Sequence, residues 1–349
     1  MDRLFRTRSL RYWVIAAACT VLGLQVLPQR REPEDARGAR VWPDPPASPA
    51  IRFVTTISGP GESSGHRLLF QRLESALFAK SKARMIRPVG LAAKKELLYV
   101  TDPGVPALLI LDLRRSALQT ITKAGGTPLV SPIGVAVGQD RVFLSDSYLR
   151  QVFVYDRRGR FLKSFGGPEL HRPTGLAFDE RSGRLYVADT TAHRIVIYNA
   201  DGKTEKSIGA RGTGHGELNY PAHLWLDAEG RLFVVDSLNY RIQVFRPDGA
   251  FLGEFGRHGD GSGDFASPKG IAADSRGHVY VVDALFDTVQ MFDQQGQLLL
   301  TFGERGAGPS QFWLPAGLFI DERDRIYVAD SHNHRVQVFE FVGGRNGGR

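Results

Sequence analysis

One pattern, repeated six times between residues 88 and 340, limits how this 349-residue chain can fold. Its clearest copy runs Leu314-Pro315-Ala316-Gly317-Leu318, an acidic turn, Arg325-Ile326-Tyr327-Val328-Ala329-Asp330, then Ser331-His332-Asn333-His334-Arg335-Val336-Gln337-Val338-Phe339. Prolines recur at Pro88, Pro132, Pro173, Pro221, Pro268 and Pro315. Aspartates recur at Asp102, Asp146, Asp189, Asp236, Asp283 and Asp330, and both series are spaced by 41 to 48 residues. A fixed period of this size marks a solenoid, a propeller or an array.

Each copy reads as strand. Arg184 to Asp189 and Arg194 to Tyr198 alternate in side-chain character with period two and are rich in Tyr, Val, Ile and Leu. Copy four shows four such segments, at 223–227, 231–236, 241–245 and 250–255, separated by short Gly- and Asp-bearing connections. Four antiparallel strands in each unit of about 45 residues, repeated radially, make a β-propeller blade. The sixth copy stops after its third strand. A matching fourth strand stands ahead of the first copy, where Ile51 to Gly59 mirrors Leu298 to Gly303. The expectation is an all-β, six-bladed propeller of four-stranded antiparallel blades over 51–341, its last blade completed by the N-terminal strand, which pairs an otherwise open edge.

The ends differ in composition. Arg3, Arg6, Arg8 and Arg11 precede an apolar run from Tyr12 to Leu24, so residues 1–27 read as a signal sequence or membrane anchor that places the ring outside the cytoplasm. The only cysteine, Cys19, follows Ala16-Ala17-Ala18 as a possible lipidation site. Residues 28–50 hold six prolines and read as a semi-rigid linker. Residues 66–84 place Leu69, Phe70, Leu73, Leu77 and Phe78 at helical spacing, which predicts an inserted amphipathic helix, either over or beside the channel entrance or resting on the surface of blade one or six. Residues 342–349 read as a disordered tail. The net charge is +8, of which the first 50 residues, with eight Arg and five acids, supply +3.

The run Asp330 to Val336, with its variants at Asp189–Ile195 and Asp236–Ile242, resembles the NHL repeat, and the glycine-rich connectors Gly259–Phe265 and Gly306–Phe312 suit that family. The match is strong in copies three to six. Copy one lacks the Asn-His-Arg portion, and copy two keeps only Arg150. The resemblance implies the fold, while NHL propellers serve RNA binding, protein binding, ligand sensing and lysis alike. In the related amidating lyases, zinc sits on histidines directly after the blade prolines. Those positions here are Val89, Ile133, Thr174, Ala222, Lys269 and Ala316, so that activity is not implied.

Loops between second and third strands share a face with the connectors between blades, and binding groups gather on such loops. The repeated aspartates read as architecture, accepting backbone N–H groups of the turns that follow. Copy four breaks the pattern. After its proline it has Ala222-His223-Leu224-Trp225, where other copies carry Gly and mostly Ala. Two residues apart, His223 and Trp225 share one strand face, and Lys269 comes from the next blade. These three, with His193, Arg241 and His334 on the loop-rich face, are the candidate ligand- or partner-binding residues. No catalytic residue, metal site or cofactor is expected. The reading is a non-enzymatic, membrane-tethered, extracytoplasmic propeller that binds a protein or an anionic envelope ligand on its loop-rich face. A metal-dependent lyase or lactonase-type enzyme is the alternative, and RNA binding is a third reading that the leader disfavours; no nucleic-acid partner is expected.

Overall fold

A computed structural model describes residues 40–43, 50–58, 84–115 and 117–343. The leader with Cys19, most of the linker, nearly all of the 66–84 segment and the last six residues lie outside them.

Five four-stranded antiparallel sheets and one five-stranded sheet form the ring. Blade 1 spans 91–121, blade 2 132–166, blade 3 173–208, blade 4 221–255 and blade 5 268–302. Blade 6 takes its inner three strands from Leu318–Ile320, Arg325–Asp330 and Arg335–Phe341. Its fourth strand is β2 (Ile51–Ser58), paired from Ile51↔Phe341 to Ser58↔Arg335. The ring is closed as the repeat arithmetic requires.

The structure adds a strand. β1 (Val41–Trp42) pairs with β2 on the outside of blade 6, inside the stretch assigned from sequence to the linker. Val41 is buried, and Trp42 packs on Phe302 of blade 5 and Phe339 of blade 6 at 5.8 and 6.0 Å. Arg40 reaches the Pro309 carbonyl and Glu304 in the connector between those blades. Two residues between prolines have no room for a periodic signal, so the sequence reading passed over them.

The core has no single centre. Six apolar clusters occupy the six seams between neighbouring blades. Period-two alternation sends successive side chains of each strand into opposite seams, which is why both faces of every sheet are apolar.

Glycine governs the inner seams. A Cβ on Gly90, Gly134 or Gly317 would stand 1.9–2.2 Å from the carbonyl oxygen of Ile133, Thr174 or Val89 in the next blade. Hydroxyls stitch the same seams: Ser147 donates to the Pro173 carbonyl (2.5 Å), Thr190 to Pro221 (2.7 Å) and Ser331 to Pro88 (2.5 Å). The last of these joins blade 6 to blade 1. Gly317→Ala is therefore expected to destabilise the ring by about 1–3 kcal/mol through overpacking. Gly253→Ala, whose Cβ would meet nothing within 4 Å, should stay within about 0.5 kcal/mol of wild type in chemical denaturation.

Candidate functional site

Each repeated aspartate ends a second strand, is fully buried, and faces the segment entering its own blade. Asp102 accepts the amides of Ile86 (2.6 Å), Arg87 (3.0 Å) and Gly104 (2.8 Å). Asp283 accepts those of Ala266, Ser267 and Leu285. Asp236 and Asp330 instead combine one amide with an Asn, an Arg and a Gln side chain. These carboxylates are consumed by architecture.

Three of the six candidate residues also make structural contacts. Arg241 is buried and spends its guanidinium on Asp236 (2.9 Å), Glu254 (2.9 Å) and the carbonyls of Gly214 and Glu217. It braces a connector and is not presented to a ligand. His193 is also buried; its Nδ1 accepts the Tyr220 amide at 3.3 Å, and its ring meets Tyr220 edge-on at 4.7 Å. His334 donates to the Ile86 carbonyl, tying blade 6 to the lead-in of blade 1. Both histidines take left-handed φ near 57° just before a third strand, as do Arg150, Tyr240 and Asp287. Their shared position in the repeat explains the role better than their side-chain type.

The other three gather at the central channel. His223 stands where five blades have the seam glycine, so the blade 4–5 seam alone carries a side chain there. Its Nδ1 is buried without a partner, and desolvation pushes the imidazole down to about 4. Trp225 lies one residue beyond the next seam position and crosses to Phe319 of blade 6, ring to ring at 5.5 Å in a T-shape. Trp225 touches the 4–5 and 5–6 clusters, while Phe319 touches the 6–1 and 1–2 clusters. Together they floor the channel.

Below that floor, Lys94 of blade 1 reaches Glu180 of blade 3 (3.0 Å) and Glu322 of blade 6 (3.4 Å). Burial opposes its charge, but the two carboxylates outweigh this and raise the ammonium above its usual value. The turn-bearing end is thus spanned by an ion cluster. The channel opens as a cup toward the loop-rich face.

Lys269 stands at the lip of the cup. It is exposed by area, yet the concave mouth strips enough water to lower its ammonium; Asp283 opposes that shift and Arg172 of blade 3 adds to it. Arg172, which precedes Pro173, was missed from sequence. Aligning the residue before each blade proline would have found it together with Arg87, also exposed. Among the described residues neither arginine nor Lys269 has an ion-pair partner.

Exposed charge at the rim has one sign. The rim consists of the four residues centred on each proline, from two before it to one after, and the four following each repeated aspartate. It contains Arg87, Arg150, Arg172 and Lys269, and its single acid, Asp287, is buried and holds the Leu314 amide. On the opposite face the turns mix both signs, with acids such as Glu96, Asp112 and Asp321 beside Lys95, Arg114 and Arg323. The outer connectors carry both signs, as in Glu217 and Asp260 beside Arg211 and Arg257. Among the described residues no three His, Cys, Asp or Glu side chains converge as metal ligands.

Comparison with known proteins agrees with this architecture. The NHL repeat matches residues 170–198 and 312–339, and a family described as a 6-bladed beta-propeller matches 227–287. The chain carries NHL repeats and folds as a six-bladed β-propeller. No curated protein matches the sequence significantly. Among solved structures, a streptogramin B lyase is similar at 12% identity and TM-score 0.56, over 74% of this chain and 95% of that one. A Bacteroides thetaiotaomicron protein of unknown function is similar at 17% and 0.61, over 83% and 75%. An auxiliary nutrient binding protein from the same organism is similar at 13% and 0.58, over 74% and 69%. At such identities the likeness is one of fold.

His223 sets a pH dependence. Its pKa falls on folding from 6.5 to about 4, so between those values the unfolded chain binds a proton that the folded ring refuses. This contribution is complete above pH 6.5 and is lost as pH falls toward 4, by on the order of 3 kcal/mol at about 1.36 kcal/mol per unit. His223→Gly, which restores the repeat residue, should flatten that part of the stability–pH curve in denaturation series at pH 4.5 and 7.

Proposed function

We propose that this propeller is a non-enzymatic binding module whose loop-rich face takes an anionic partner around the channel mouth. One observation carries the reading: the rim has four exposed cations and no exposed acid, while the turns of the other face mix acids with lysines and arginines. A one-sign concave surface concentrates oppositely charged ligands and speeds their arrival. The closed lower end supports the same assignment, because a ligand entering the cup meets Lys269 and Arg172 first, then the apolar floor of Trp225 and Phe319. The basic and apolar leader supports a membrane-tethered site of action outside the cytoplasm.

Titration of the full-length chain with polyglutamate and with inorganic polyphosphate tests this. Lys269→Glu and Arg172→Glu should each weaken binding about fivefold or more, the value of losing a solvated charge pair of roughly 1 kcal/mol. Arg158→Glu, on the turn-bearing face, should change it by less than about twofold. Equal losses in all three variants would contradict the proposal. Stoichiometric zinc or calcium in the purified chain would favour the lyase- or lactonase-type alternative.

A further inference from the structure

The rim carries a second feature that charge does not explain. Six of the nine large apolar side chains exposed among the described residues sit on it: Ile86, Val130, Tyr148, Leu238, Leu285 and Trp313. Ile86, Val130 and Trp313 fall two residues before a blade proline; Tyr148, Leu238 and Leu285 fall two after a repeated aspartate. Both positions flank the same buried carboxylate, so the repeat lifts these side chains to one level. Every blade except the third contributes at least one, and the second contributes two. Tyr148 is 72% exposed and Leu285 63%, on tight loops whose backbones are pinned to Asp146 and Asp283. An apolar circle interleaved with unpaired cations suits an interface that is greasy at depth and anionic at its surface.

We infer that the loop-rich rim docks on an anionic lipid bilayer, with Tyr148, Leu238, Leu285 and Trp313 entering the headgroup layer and Arg87, Arg150, Arg172 and Lys269 meeting lipid phosphates. This rests on the reading of the face as an anion-binding surface and names its partner. Tyr and Trp favour the membrane–water boundary, and each basic residue near such a surface strengthens attachment by about fivefold. The contribution of the cations is screened by salt, while that of the apolar tips is not.

Hydrogen exchange on the full-length chain tests the inference, with vesicles of phosphatidylcholine alone or mixed with phosphatidylglycerol. Because exchange is read loop by loop, binding through the leader does not confuse the result. Slower exchange is expected in the loops bearing Tyr148, Leu238, Leu285 and Trp313 with the anionic vesicles only, fading at high salt, with the turn-bearing face unchanged. A Leu238→Ser, Leu285→Ser, Trp313→Ser variant with an unchanged melting temperature should need at least about tenfold more lipid for the same protection. Unchanged rim exchange with anionic vesicles overturns the lipid assignment. If polyglutamate then still protects the rim, the anionic partner is a soluble acidic chain and the binding reading stands; if it does not, both fall.

Discussion

Everything in this ring hangs on a carboxylate buried where strand two ends. A buried ionised group is costly unless its oxygens are satisfied, and here each is met by the amides that lead into the same blade. The tie fixes the connector, the connector fixes the proline, and the proline starts the innermost strand at the channel wall. Blades 4 and 6 add a guanidinium, from Arg241 and Arg335, that carries the tie outward to the glycine-rich connectors. The loop-rich face is therefore rigid for a surface made of loops.

Rigidity frees the residues between the ties to differ. Positions that hold the fold are shared by the blades, and those that need not hold it are where Tyr148, Leu285, Arg172 and Lys269 appear. His223 shows the limit of that freedom: a side chain in a glycine slot leaves a buried imidazole nitrogen without a partner. The turn-bearing face follows the opposite logic, since its acids are bound into local turns. Asp321, for example, accepts the amides of Arg323 and Arg325.

Repetition made the ring legible in the sequence. Strand number, blade number and closure by Ile51–Ser58 follow from two recurring residues and an alternation of period two, because a structural need felt in every blade leaves its mark six times. The candidate site was legible only in part. His193, Arg241 and His334 attracted notice for their side-chain chemistry, yet their place in the repeat assigns them to turns and braces. Lys269, His223 and Trp225 stood out as departures from the repeat, and the structure brings them to the channel. Their neighbours could not be read: the contact between Trp225 and Phe319, and the span from Lys94 to Glu180, each skip a blade, and no local spacing encodes such a distance. β1 was hidden for the opposite reason, being shorter than one period of any pattern.

The account turns on where negative charge settles on the folded ring. Crystals of the full-length chain soaked in bromide, with the anomalous signal of the ion mapped, would locate it. The strongest sites are expected at the channel mouth between Arg172 and Lys269. Sites confined to the turn-bearing face, with the mouth empty, would contradict it.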